Sequence, residues 1–399
     1  MSEPAESQLT RRWVNWMARQ IQDPVWRLRY LQYVAPRICR WESQGTIGLL
    51  TLLVLGLVVA AASLGGLGAA HAASAAHAAP PAHAAPRPLP PIHRVELARV
   101  ELAEAPVADV WPVEKTRGFE TYSNGLRIEN QYSVSQRPRT YVAFSTADSE
   151  GATGEKRTDP AGIVYHTTES VQAPFESSEN NLLKRVGESL IDYVRRRRCY
   201  NFLIDRFGRV FRIVNESDAA YHAGHSVWAD DRYFYVNLND SFLGIAFEAR
   251  TGAGETVTSA GEAQVRAAAM LTEMLRSRYK ILGKNCVTHA QVSVNPSNMQ
   301  IGYHVDWGSS FPFERMGLPD NYATPSPAVG LFGFAFDANF ERRAGVRLAA
   351  EASEADRGLA ERAGTAHVSL AAYRKALNRR YLKIVATLSR LDPDTANFN

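Results

Sequence analysis

Five of the ten histidines, His166, His222, His225, His289 and His304, fall between positions 166 and 304. Imidazole is the side chain that both ligates metals and moves protons near neutral pH. Two of the five share one local context. Ile163-Val164-Tyr165-His166-Thr167-Thr168 and Cys286-Val287-Thr288-His289 each read as a short apolar strand ending in histidine. A side chain at a core strand end stands on a rigid scaffold where that scaffold meets solvent. Alone, His166 reads first as a satisfied strand-edge histidine. Two such histidines plus one carboxylate, however, suffice for a catalytic zinc with a fourth position left for water. Asp306, in the loop Tyr303-His304-Val305-Asp306-Trp307-Gly308, offers the carboxylate.

The intervening sequence supplies elements to hold these groups. Leu182, Leu183, Val186, Leu190 and Val194 recur at helical spacing and predict a helix from about 181 to 198. The run Arg195-Arg196-Arg197-Arg198 ends it, as a solvated helix terminus or a contact for an acidic polymer. Tyr200 to Val214 reads as a β-hairpin turning at Arg206-Phe207-Gly208-Arg209. A loop of small residues, Ala220-Tyr221-His222-Ala223-Gly224-His225, precedes a strand ending near Glu248, and an amphipathic helix follows from Thr258 to Tyr279. Upstream, residues 94–159 mix short β-like runs with an Asn124-Gly125 turn and read as an extension packed on the main domain. Beyond Pro325 the composition shifts to Ala, Arg, Glu and Leu. Helices are expected near 337–363 and 369–391, as a packed hairpin or a partner-binding appendage.

Composition bounds the rest. The 399 residues carry a formal charge of only +4 and no basic-aromatic stripe, which excludes a dedicated nucleic-acid protein. Three cysteines are too few for a disulfide scaffold or a thiolate zinc cluster. Residues 1–45 interleave arginines with Trp13, Trp16 and Trp26, a mixture suited to a bilayer surface or to a small soluble bundle. Residues 46–70 are apolar and uncharged, long enough to span a membrane as a helix. Arg27, Arg29, Arg37 and Arg40 on its N-terminal side put the N-terminus in the cytoplasm and the remainder in the periplasm. An uncleaved inner-membrane anchor is favoured over a cleaved signal peptide, whose n- and h-regions would be unusually long. Residues 71–93 form an Ala/His/Pro tether, without a frame to fix its histidines around a metal.

The region from about 161 to 322 resembles the type 2 N-acetylmuramoyl-L-alanine amidase family, related to the peptidoglycan recognition proteins. The matching pieces are Ile163-Val-Tyr-His-Thr-Thr, Tyr200-Asn-Phe-Leu-Ile-Asp-Arg-Phe-Gly, Tyr221-His-Ala-Gly-His-Ser, Asn239-Asp-Ser-Phe-Leu-Gly-Ile, Val287-Thr-His and Asp306-Trp-Gly-Ser-Ser-Phe-Pro-Phe. The resemblance implies an α/β fold with a central mixed sheet flanked by helices, to which this chain adds the membrane helix and the C-terminal helices. It implies a zinc amidase domain over residues 160–325. The implied reaction is hydrolysis of the amide between the muramoyl lactyl group and L-alanine of peptidoglycan. His166, His289 and Asp306 match the metal ligands and Tyr200 a catalytic tyrosine. His304 falls where many members carry a catalytic lysine, and could supply its positive charge or coordinate metal instead. His222 matches a histidine near the substrate groove, with Asn239 and Trp228 as further substrate-binding candidates. Tyr235 and Phe311 are groove aromatics or packing residues.

The chain also departs from that pattern. The spacing from His289 to Asp306 is longer than usual, with residues 295–298 looping out; Trp307 replaces a usual proline; and Ala246 stands where one branch has a catalytic glutamate, with Glu248 two residues on. Cys199 and Cys286, both placed in the periplasm, are candidates for a disulfide. Three classes stay open: a zinc amidase of the cell wall, a non-catalytic membrane-anchored peptidoglycan receptor, and an envelope scaffold that recruits protein partners through its C-terminal helices.

Overall fold

The two strands that lead to histidine lie side by side at one end of a large mixed sheet. In this computed structural model the described residues are 107–147, 154–251 and 260–391. The expected juxtamembrane segment, the 46–70 span, the 71–93 tether and Cys39 lie outside them. Among the described residues no helix is long and apolar enough to cross a membrane.

In chain order the strands are β1 (Pro112–Lys115), β2 (Phe119–Tyr122), β3 (Arg127–Glu129), β4 (Tyr141–Ser145), β5 (Gly154–Arg157), β6 (Gly162–Thr167), β7 (Phe202–Ile204), β8 (Val210–Arg212), β9 (Val227–Ala229), β10 (Tyr233–Val236), β11 (Phe242–Phe247), β12 (Cys286–Thr288), β13 (Val294–Asn295) and β14 (Gln300–Ile301). The helices are α1 (Asn180–Arg197), α2 (Leu238–Ser241), α3 (Glu262–Tyr279), α4 (His289–Val292), α5 (Pro327–Phe332), α6 (Phe340–Ala344), α7 (Val346–Thr365) and α8 (Leu370–Leu391). The main sheet runs β1-β2-β3-β8-β7-β11-β6-β12, and β5-β4-β10-β9 form a second sheet. β11, β6 and β12 are parallel neighbours, whereas β7 and β8 form the antiparallel hairpin expected around Gly208.

Every residue of β6 and β11 is buried, as befits central parallel strands covered on both faces. Ile163, Tyr165, Ile204, Ile245 and Phe247 point to one side and share a core with Ala268, Leu271, Met274 and Leu275 of α3. Leu203, Phe211 and Ala246 face the other way, against Leu190, Ile191 and Val194 of α1. Each such aliphatic side chain contributes about 1.5–3 kcal/mol on burial. Alternation along β6 therefore puts His166 on the α1 side, two residues beyond Val164.

α1 ends in Arg198, which adopts a left-handed cap at φ 53, and the arginine run is exposed at that end. The described part of the expected extension, residues 107–147 and 154–159, is built into the fold: β1 to β3 lengthen the main sheet, β3 pairing parallel with β8, while β4 and β5 lengthen the second. The expected first C-terminal helix is two, because Gly345 at φ +88 breaks it between α6 and α7. α5 was not anticipated. Its Phe332 packs edge-on against Phe234 of β10 and Tyr381 of α8, ring centroids 5.5 Å apart in both pairs.

The Cys199–Cys286 disulfide is not formed; both thiols are free. The strand order explains it. Cys286 begins β12, while Cys199 leads into β7, and β11 and β6 lie between them. Three inter-strand steps amount to about 14 Å, against the ~6 Å between Cα atoms that a disulfide spans.

Candidate metal centre and active site

In the parallel register of β12 on β6, Val287 lies opposite Val164 and Thr288 opposite Tyr165. The carboxyl ends of the two strands thus bring His166 and His289 together, ring centroids 4.5 Å apart. Thr288 opens α4 with a capping box, its N–H donating to Gln291 Oε1 at 3.0 Å, which fixes the turn carrying His289. The Asp306 carboxylate lies between the rings. Oδ2 is 3.2 Å from His166 Nδ1, and Oδ1 is 2.9 Å from His289 Nδ1. One donor atom of each of the three residues lies within 4.8 Å of the others. All three are buried, at 1%, 5% and 8% exposure.

Burial alone would raise the Asp306 pKa, but the His289 and His166 imidazoles hold it well below the usual carboxylate range. Burial, followed by the His289 ring, pushes His166 down to about 4. At pH 7 Asp306 is therefore ionised and His166 neutral. Two imidazoles and one carboxylate on rigid elements are the donor set of a catalytic zinc site. His289 Nε2 is buried without a hydrogen-bond partner among the described residues, which leaves that ring committed to the cluster alone.

The loop bearing Asp306 is held from several sides. β13 and β14 form a small hairpin that takes up the long spacing after His289. Trp307 stands at φ 61, a conformation closed to proline, so the departure at this position follows from the backbone. Its N–H donates to Thr251 Oγ1 at 3.1 Å, and its ring packs edge-on against Phe247 and Phe311, each at 5.0 Å. Glu169 Oε1 accepts from the Thr167 hydroxyl at 2.6 Å and the Thr251 N–H at 2.7 Å. The neighbours of His166 and Asp306 are thereby tied into one polar network. Sequence reasoning missed it, because Glu169 and Thr251 carry no signal apart from the loop that brings them together.

Tyr200 lies between α1 and β7 in a left-handed conformation, φ 64, with its ring centroid 5.1 Å from that of His166. Burial keeps its hydroxyl pKa well above the ordinary value, so it is a neutral O–H donor. His304 stacks on His289, centroids 4.5 Å apart and planes at 19°, with one side open to solvent. Packing and then the His289 imidazole push His304 down to about 3. That direction disfavours the positive charge that a lysine would give there.

Trp228, Tyr235, Phe311 and Asn239, singled out in the sequence, are buried structural residues. Trp228 is a core residue at 1% exposure, its indole N–H donating to Asn285 Oδ1 at 3.2 Å. Tyr235 donates its hydroxyl to Asp230 at 3.0 Å, and Phe311 stacks on Tyr165 at 4.4 Å; both are buried packing residues. Asn239 is buried, and its Oδ1 accepts the N–H groups of His222, Ala223 and Gly224 at 2.8, 2.7 and 3.2 Å. It shapes the loop from below, so direct substrate contact does not fit. His222 lies behind His166, with Nδ1 3.1 Å from His166 Nε2. Ala246 pairs with His166 across the strands, and Glu248 turns away to accept the Arg206 N–H at 3.2 Å. His225 contributes its backbone carbonyl to Val294 N–H at 3.1 Å.

This geometry lies within residues 156–308, which match the model of the N-acetylmuramoyl-L-alanine amidase family. The resemblance to type 2 amidases rests on that match. Similar solved structures include the amidase AmiD from E. coli, in complex with anhydro-N-acetylmuramic acid-L-Ala-D-gamma-Glu-L-Lys, at 22% identity and TM-score 0.30. That alignment covers 40% of this chain and 56% of AmiD. The amidase LysC from Clostridium intestinale aligns at 20% identity and TM-score 0.26, over 47% of this chain and 93% of LysC. The Drosophila peptidoglycan recognition protein SD aligns at 18% identity and TM-score 0.24, over 40% of this chain and 84% of its own. The chain thus spans little more than half the length of AmiD. No curated protein matches the chain.

Proposed function

We propose that the protein is a zinc-dependent N-acetylmuramoyl-L-alanine amidase that separates peptidoglycan stem peptides from the glycan. The observation that carries this reading is the convergence of His166, His289 and Asp306 within 4.8 Å, inside the segment that matches the amidase family. These three residues would hold the metal. When bound, zinc supplies Lewis-acid activation of a water and of the scissile carbonyl. Tyr200, a neutral donor beside His166, hydrogen-bonds the oxyanion that develops as the carbonyl is attacked. His304 stacks on His289 at the rim, where a ring nitrogen can hydrogen-bond the attacking water or the departing amide nitrogen. The apolar stretch 46–70 and the arginines before it support a single inner-membrane span holding this domain in the periplasm.

A receptor without catalysis is the competing reading. It is favoured by Ala246 beside His166, where a carboxylate could have served as a base. The two separate on zinc content and muropeptide products of the full chain in detergent, wild type beside His289→Ala. About one zinc per chain, release of free stem peptides, and loss of both in the variant are expected. Peptidoglycan binding with no released peptide, in a zinc-loaded protein, would leave the receptor.

A further inference from the structure

We propose that His222 is a positioning residue that sets the tautomer of His166, leaving Nδ1 as the atom free to bind metal. This inference rests on the metal-centre reading above and deepens it. The chain of bonds starts at the backbone. His222 Nε2 lies 3.3 Å from the carbonyl oxygen of Phe242, and a carbonyl only accepts, so Nε2 carries the His222 proton. Nδ1 of His222 is then an acceptor, 3.1 Å from His166 Nε2. His166 therefore carries its proton on Nε2 and presents the Nδ1 lone pair to Asp306 Oδ2 at 3.2 Å. A lone pair facing a carboxylate is stable only with an electropositive group between them, and a cation is that group. Partners of this kind, which fix ring orientation and tautomer, tune metal affinity strongly.

Two further features serve the same placement. Gly244 of β11 lies under the His222 ring; a Cβ there would come within 2.6 Å of His222 Cγ, so only glycine lets the imidazole lie against the sheet. Asn239 Oδ1 gathers the N–H groups of residues 222, 223 and 224 and fixes the loop from which the ring projects.

The test uses zinc alone, titrated into the full chain against a competing chelator, together with histidine-selective ¹⁵N NMR of the zinc-loaded protein. Zinc-loaded wild type is expected to show His166 protonated on Nε2 and without a proton on Nδ1. His222→Phe keeps a ring over Gly244 but removes the acceptor, and should weaken zinc binding about 10–100-fold. His222→Asn places an amide oxygen near the former Nδ1, and should restore affinity to within about threefold of wild type. His222→Phe binding zinc as tightly as wild type would overturn the inference, as would wild-type His166 protonated on Nδ1. The wild-type tautomer is read without any variant, so a variant that fails to fold does not remove the test. A zinc-binding wild type that cleaves no peptidoglycan would sink the amidase reading and leave this one standing.

Discussion

The side-chain carbonyl of Asn239 accepts the backbone N–H of His222 at 2.8 Å, and the same oxygen takes the next two amides. One buried atom thereby organises the loop that carries His222. Asn239→Ala would leave buried N–H groups unpaired and should cost about 2–4 kcal/mol in urea unfolding, whereas Asn239→Asp keeps the acceptor and should cost less. Zinc affinity should fall in the alanine variant alongside stability. Unchanged affinity would show that the loop is held by its other contacts.

Tyr200→Phe removes a hydroxyl while keeping the ring against His166. Because burial holds that hydroxyl protonated, its contribution is a hydrogen bond and not a base. The expected result is a fall in kcat of about 100-fold, with KM and bound zinc unchanged. A phenylalanine variant with wild-type kcat would make Tyr200 a packing residue.

Glu351 of α7 is 5% exposed, and burial raises its carboxyl pKa well above the usual value. The folded chain then keeps a proton that the unfolded chain has lost above about pH 4.3. Stability contributed through this group is greatest below that pH and declines as pH rises toward the folded pKa. Glu351→Gln should therefore stabilise the protein, by a margin that widens from pH 5 to pH 8 in thermal melts. A constant or shrinking margin would place the carboxylate in a solvated or paired state.

Arg139 is 1% exposed, and its guanidinium donates to the backbone carbonyls of Glu216, Asp240, Phe242 and Asp218 at 3.1, 2.8, 2.9 and 2.9 Å. It fastens the segment before β4 to the loops around β11. A lysine has fewer donors and the wrong geometry, so Arg139→Lys should destabilise by about 3 kcal/mol or more, measured by denaturant unfolding. Loss of less than about 1 kcal/mol would mean that the carbonyls find other partners.

Much of the fold was legible because its signals are local. Helical spacing marked α1 to within a residue, Gly208 marked the β7–β8 turn, and two apolar runs ending in histidine marked the strands that meet at the cluster. The placement of Trp228 was not legible, since an aromatic beside a loop reads alike whether it lines a groove or fills a core. Burial decides, and burial is a property of the whole sheet. The roles of Gly244 and Asn239 were hidden for the same reason: both act on His222, which is 22 and 17 positions away from them in the chain. The break at Gly345 went unread because a single glycine inside a helical pattern is often tolerated; here φ +88 turns it into a corner.

That corner reaches back to the loop that carries the third candidate ligand. Phe340 fills the space over Gly302, where a Cβ would come within 2.4 Å of its ring, and Ser309 Oγ donates to Ala344 O at 2.8 Å while accepting the Leu348 N–H at 3.2 Å. Ala335 adds a backbone bridge to Gln300. The stretch carrying His304 and Asp306 is thus clasped by residues that come after the family-matched segment ends at 308. The module cannot be trimmed to its recognisable part: a chimera or truncation drawn at that boundary would carry all three candidate ligands yet leave the third on an unsupported loop. In this chain the C-terminal helices are a part of the candidate site's architecture that lies beyond the borders of the family match.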